Sequence, residues 1–228
     1  REDAIMKWLA FILSTGIQVS QNFKLKKILS DELTIGEWLT QHLPNDDFSI
    51  DNAIIMSNSR RFPLFVDPQG QAITWIKTME KERLRVIKPT MESFRMHSSI
   101  SNCLELGIPL LYENAGNQLD LCVVSLLENK RRIIGKTEQI KLQNRWVTVA
   151  PGFRFYITTK LTRPHYGPEV CVMVTMLNFQ VTTEGLEDQL LNVLVSRKEP
   201  NTEKARLNNI REFHELKRKQ KETEEKIL

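Results

Sequence analysis

Between Phe62 and Glu82 a short apolar run, a glycine-bearing turn and an amphipathic stretch follow one another. When such a strand–turn–helix folds, backbone N–H groups converge at the start of the helix and can hold an anion. Phosphate chemistry asks for two further groups at that turn. One is a lysine for the outer phosphates and the other a hydroxyl for Mg²⁺, in the spacing G-x-x-x-x-G-K followed by Ser or Thr. The turn here is Asp67-Pro68-Gln69-Gly70-Gln71-Ala72. Gln71 stands where the lysine belongs and Ala72 where the hydroxyl belongs, the loop is shorter, and the Asp67 carboxylate would repel a triphosphate. Losing the ammonium and the metal anchor removes the main charge compensation for phosphoryl transfer.

A second acidic position follows the apolar run Leu110-Leu111-Tyr112, which ends in Glu113-Asn114. Phosphate-cleaving sites of this layout carry Asp-Glu there, one for the metal and one to polarise water. Glu113 could hold a metal through water, but Asn114 cannot take a proton from an attacking water at neutral pH. A glutamate at a strand end is also a common loop partner. The run Phe153–Thr159 ends in two hydroxyls. Thr158 stands where a γ-phosphate sensor would lie, although paired threonines are ordinary strand formers too. Arg163, just before Pro164, is the nearest candidate for an arginine offered to a neighbouring subunit, since 170–179 holds no Arg or Lys. His42, His97, His165 and His214 are scattered, without metal-ligand spacing. Cys103, Cys122 and Cys171 are far apart and are expected as buried thiols. Trp8, Trp38, Trp75 and Trp146 read as core or interface anchors, with no base-stacking platform.

The elements that must position these residues alternate. Helical spacing covers 3–14 and 34–42, and Ser49 is expected to cap a helix through Met56. Strands are expected at 62–66, 84–87 and 108–112, separated by helices over 72–82 and 90–106, the latter with Phe94, Ile100, Cys103 and Leu104 facing inward. Another helix follows over 120–128. Such alternation argues for a parallel sheet with helical crossovers. The stretch 131–149 reads as an inserted β-hairpin turning at Asn144-Arg145. Strands are expected again over 153–159 and, once or twice, within 170–181. From Gly185 the pattern is helical to the end, and 200–228 is a highly charged stretch with a thin apolar stripe, like one arm of an antiparallel coiled coil.

With 228 residues, 41% hydrophobic and 26% charged, the chain holds material for one sizeable core. A formal charge of +4 permits a basic patch but does not argue for nucleic acid or an anionic membrane as partner, and no run approaches membrane-spanning length. The start, Arg1-Glu2-Asp3-Ala4, lacks an initiator Met and is not a signal peptide, so the chain reads as a segment of something longer.

Several strings together resemble a known family. These are Leu43-Pro44-Asn45-Asp46, Asn52-Ala53-Ile54-Ile55, Arg61-Phe62-Pro63-Leu64 running into Asp67-Pro68-Gln69-Gly70-Gln71-Ala72, and Gly107–Asn114. With them go Pro164-His165-Tyr166, Pro168-Glu169-Val170-Cys171 and Gly185–Leu191. Over nearly the whole chain they look like the fifth AAA+ module of dynein heavy chains, closer in form to the axonemal branch. Asn117, Leu121 and Met173 depart from the family pattern. The resemblance implies an α/β AAA+ large subdomain, a P-loop-like parallel sheet flanked by helices with an inserted β-hairpin, plus a long C-terminal helix. It implies a helical lead-in from a microtubule-binding stalk over 1–48, the α/β core over 49–184 and a strut arm over 185–228. It further implies a degenerate pocket at Asp67, Gln69, Gly70, Gln71, Ala72, Glu113, Asn114 and Thr158. Such a pocket binds no nucleotide, and ATP and Mg²⁺ serve other modules of the parent chain. Partners would be neighbouring AAA+ modules, the stalk, the returning strut helix and, indirectly, the microtubule, in the cytoskeleton of a cilium. Two other readings stay open: an ATP-binding module with a non-standard phosphate loop, and a generic α/β interaction domain with a helical docking arm.

Overall fold

The computed structural model describes residues 2–17, 25–135 and 137–199, then only separate positions between 201 and 223; the side chains at 2, 27, 184, 188, 192 and 196 are not described. The expected arm over 200–228 therefore lies largely outside the described residues. Five parallel strands form the central sheet: β1 (Phe62–Val66), β2 (Arg85–Ile87), β3 (Leu110–Tyr112), β7 (Phe155–Thr159) and β8 (Val174–Asn178). Their order is β2-β3-β7-β1-β8, so β1 sits between β7 and β8. Helices α1 (Glu2–Ser14), α2 (Leu25–Ile28), α3 (Glu32–Thr40) and α4 (Asp47–Asn58) precede it. Helix α5 (Gln71–Glu80) links β1 to β2, α6 (Ser93–Leu106) links β2 to β3, and α7 (Leu121–Leu127) follows β3.

Both faces of the sheet are buried, as a parallel sheet requires. Leu64, Val66, Tyr112 and Ile157 point to one side, where they meet Ile100, Leu104, Val123 and Leu126 of α6 and α7. Phe65, Leu111, Tyr156 and Leu177 point to the other, against α3, α4 and α5. There Trp75 stacks on Phe179 at 6.1 Å and meets Trp38 edge-on, also at 6.1 Å. Gly107 ends α6 at φ +66, and a Cβ there would stand 2.6 Å from the Pro151 carbonyl oxygen, so only glycine fits.

Between α7 and β7 the chain adds an antiparallel sheet of three strands, where one hairpin was expected: β4 (Arg131–Ile134), β5 (Thr137–Leu142) and β6 (Arg145–Thr148). Its second turn is Gln143-Asn144, with Gln143 at φ 53, and Arg145 already pairs with Leu142. The cap of α4 is Asp46, whose carboxylate accepts the Ser49 N–H; Ser49 itself is buried inside the helix. Residues expected as strand at the start of 170–181 form helix α8 (Pro168–Met173), because Pro168 sits at its first turn and fixes the helical φ. Helix α9 (Thr183–Lys198) closes the series, capped by Thr182, whose hydroxyl accepts the Gly185 N–H.

Two side chains expected inside, Phe94 and Cys171, are outside. Phe94 is 84% exposed, and Met96 takes its inward place on α6. Cys171 is exposed on α8, whereas Cys103 and Cys122 are buried. Trp8 is 65% exposed on α1 while Trp38 and Trp75 lie in the core. Trp75→Ala is expected to cost about 3–5 kcal/mol and Trp8→Ala no more than about 0.5 kcal/mol. Urea unfolding of each variant reads both.

Candidate functional site

Ligand crevices in sheets of this kind open at the carboxyl ends of the strands. Here those ends belong to β1, β7 and β3. After Val66 the chain leaves β1 at Asp67, whose N–H donates to the Thr159 carbonyl at 2.8 Å, so the loop starts tied to β7. Pro68 and Gln69 carry it round, and Gly70 enters α5 at φ 81, a left-handed geometry that glycine adopts without strain.

The Asp67 side chain turns back onto the helix. Its Oδ1 accepts the Gln71 N–H at 2.8 Å and its Oδ2 the Ile73 N–H at 3.0 Å. Asp67 is fully buried. Those N–H groups would hold a phosphate at a strand–turn–helix of this type, and here a carboxylate of the chain itself holds them. Burial pushes the Asp67 carboxyl above its ordinary value of 3.8, while the N–H groups of Ile73, Gln71, Gly70 and Ala72 draw it back. The Asp67 carboxylate thus lies against the first turn of α5.

Around it the other candidates arrange themselves by strand register. Glu113 follows β3, its backbone N–H donating to the Ile87 carbonyl at 2.9 Å, and its carboxylate faces Lys77 of α5 at 3.6 Å. Asn114 takes φ 63, which asparagine tolerates, and its buried Oδ1 has no hydrogen-bond partner among the described residues. Thr158 lies opposite Phe65 in the β1–β7 register, hence on the α5 side of the sheet. It is fully buried, and its Oγ1 also lacks a partner among the described residues. Thr159 points the other way and donates to the Ala115 carbonyl at 2.7 Å. Ala72 lies on the buried face of α5, and Gln69 lies on the loop. Arg163 stands apart, exposed in the loop between β7 and α8.

Two partners of the site carry no mark in the sequence. Lys77 looks like any helix-surface lysine until β3 is set beside β7. At the far end of α5, Glu80 accepts the Tyr156 hydroxyl at 2.6 Å and Arg154 Nη1 at 3.1 Å. Burial and the Glu80 charge push the Tyr156 hydroxyl well above its ordinary pKa. Among the cavities, a cleft of about 330 Å³ lined by Phe94, His97, Cys122 and Arg145 lies beside α6 and the β5–β6 turn, away from these strand ends.

A parallel five-stranded sheet covered by helices on both faces, with a strand–loop–helix at its centre and a β insert before β7, is the large subdomain of an AAA+ module. The chain belongs to the family described as the ATP-binding dynein motor region, whose family model matches residues 36–228. It is 40% identical over 223 residues to dynein axonemal heavy chain 3 of Mus musculus, and 39% identical over 229 residues to dynein axonemal heavy chain 6 of Homo sapiens. It is 36% identical over 217 residues to the dynein gamma chain, flagellar outer arm, of Chlamydomonas reinhardtii. These matches cover 97%, 100% and 95% of this chain but only 5%, 6% and 5% of those proteins.

Asp67→Ala leaves two helix-start N–H groups without acceptors and is expected to cost about 2 kcal/mol, with Asp67→Asn, which keeps one acceptor, near about 1 kcal/mol. The pH dependence has a definite sign. The folded-state pKa of Asp67 lies above 3.8, so this group favours folding most when protonated and less as pH rises through its folded value. In urea unfolding from about pH 7 toward about pH 4, the stability difference between wild type and Asp67→Asn should move in favour of wild type.

Proposed function

We propose that this chain is a non-hydrolysing structural AAA+ module of a dynein heavy chain of axonemal type. It relays ring motion, driven by ATP at other modules, to the microtubule-binding stalk. The observation that carries the reading is the Asp67 carboxylate seated on the Gln71 and Ile73 N–H groups, with Gln71 and Ala72 where a phosphate loop needs lysine and a hydroxyl. A triphosphate entering there would meet a fixed negative charge, and neither a lysine nor a metal-anchoring hydroxyl would compensate it. The residues present do not fit Mg²⁺-nucleotide, and on this reading the module takes none.

The relatives named above are axonemal and flagellar dynein chains, which supports placing this one in the cytoskeleton of a cilium. Its partners on this reading are the adjoining AAA+ modules, the stalk coiled coil and a returning strut helix, with the microtubule reached through the stalk. Residues 1–48 would lead in from the stalk, 49–184 form the core and 185–228 lead to the strut. Arg163, exposed beyond β7, is the candidate for contact with a neighbouring module.

A second reading has an observation of its own. Thr158 Oγ1 and Asn114 Oδ1 are buried without partners among the described residues, at the strand ends where a nucleotide would lie. They favour a module that still binds ATP through a non-standard loop. Calorimetric titration of the chain with Mg²⁺-ATP separates the two. The structural reading expects a Kd weaker than about 1 mM and no phosphate release. Micromolar binding that depends on Mg²⁺ would establish the second reading instead. The pair Gln71→Lys and Ala72→Thr should leave binding undetected, because Asp67 still fills the seat.

A further inference from the structure

The insert β4–β6 concentrates the charge of the molecule. Residues 128–148 hold six basic and two acidic side chains, an excess equal to the formal +4 of the whole chain. Both acids are engaged locally, Glu138 by Arg131 at 2.8 Å and Glu128 by Lys130 at 2.9 Å. Among the described residues, Arg132, Lys141 and Arg145 have no acidic partner inside the insert.

Register decides which side chains share the open face. Ile140, Leu142 and Val147 pack into the core, so the alternate positions Arg132, Ile134, Lys141 and Trp146 face outward. The Arg132 guanidinium lies 4.1 Å from the Trp146 ring centroid, and its Nε donates to Gln139 at 3.0 Å. That contact engages the guanidinium with the ring and that bond engages its Nε, leaving its two terminal nitrogens as further donors. Apolar surface adjoins it, since Ile134 on the same face is 52% exposed. Strand β4 is an edge, paired on one side with β5.

We propose that this insert is an interaction surface for an extended, acidic polypeptide segment. The segment adds beside β4 as a further strand, sets a carboxylate on the Arg132 fork and lays an apolar side chain on the Ile134 and Trp146 surface. An open strand edge offers main-chain donors and acceptors at peptide spacing, and a planar guanidinium matches a carboxylate with two parallel bonds. A nucleic-acid strand would call for a series of stacking rings, whereas this face carries one aromatic, already covered by Arg132. The surface is separate from the Asp67 pocket, so the proposal stands or falls without the reading of that pocket.

The test is fluorescence anisotropy of a labelled peptide of about ten residues, long enough for one strand, alternating Glu and Val, titrated with the chain at low salt. Binding is expected, weakened at least about tenfold by Arg132→Glu, by Trp146→Ala and by Glu-to-Gln replacement in the peptide, and weakened by added salt. Arg132→Glu should regain binding to a Lys–Val peptide. Arg132 is exposed, so that variant leaves the core intact; Lys141→Glu provides a second charge reversal on the same face. No binding by the wild type would overturn the proposal. So would equal binding by both charge-reversed variants, or tighter binding of a single-stranded oligonucleotide than of the acidic peptide.

Discussion

One carboxylate organises the centre of this molecule. Asp67 leaves the sheet at the end of β1 and gives both its oxygens to the first turn of α5. A helix start has four N–H groups without partners, and in a strand–turn–helix they face the crevice at the sheet's carboxyl edge. Something must satisfy them, whether water, a bound anion or a side chain. Here the Asp67 carboxylate supplies acceptors for two of them from within the chain. The cost is a buried negative charge, which is why the Asp67 proton is held more firmly than in water.

From that point α5 is fastened to three strands. Asp67 ties its start to β1, Lys77 faces Glu113 beyond β3 from its middle, and Glu80 ties its end to Tyr156 and Arg154 of the β7 segment. The three ties are unequal. The Lys77 pair is half exposed and 3.6 Å long, so it contributes little. The Tyr156–Glu80 bond is short, charge-assisted and largely shielded, and carries more. Beneath them Trp75 and Ile76 are fully buried against Phe65 and Phe179. The helix that flanks the pocket is thus held at both ends and along its buried face by the protein alone.

How far the residues announced this differs by scale. Central strands came out almost to the residue, because Phe62–Val66 and Leu110–Tyr112 are buried on both faces and therefore continuous apolar runs. Elements at the surface were harder. The run Val170–Met173 has strand-like composition, yet Pro168 starts a helix whose outer face is open. Phe94 fits a helical apolar stripe but stands just past the buried arc of α6. Hairpin count was missed because β4 is exposed throughout and lacks the alternation that marks a half-buried strand. At the site, residue types alone exposed the missing lysine and hydroxyl. They could not show that Asp67 accepts from the first turn of α5, since that depends on the backbone doubling back through Gly70, and Lys77 and Glu80 became visible only once the strand order was known.

A nucleotide-responsive AAA+ module gains its motion from a helix start and strand ends that bind differently with and without phosphate. A ligand shifts an equilibrium only by its difference in affinity for the two states. On the proposed reading, with the chain's own carboxylate at the phosphate seat, that difference would disappear and the loop would keep one geometry through any cycle of its neighbours. Force arriving on one side would then be carried by α5 and the sheet as a unit, because packed interiors transmit strain and compress little. Among the described residues, the Thr158 and Asn114 oxygens at the strand ends have no hydrogen-bond partner. They adjoin the Asp67 seat without replacing its charge, so even a water or small polar group bound there would leave the tie between β1 and α5 in place.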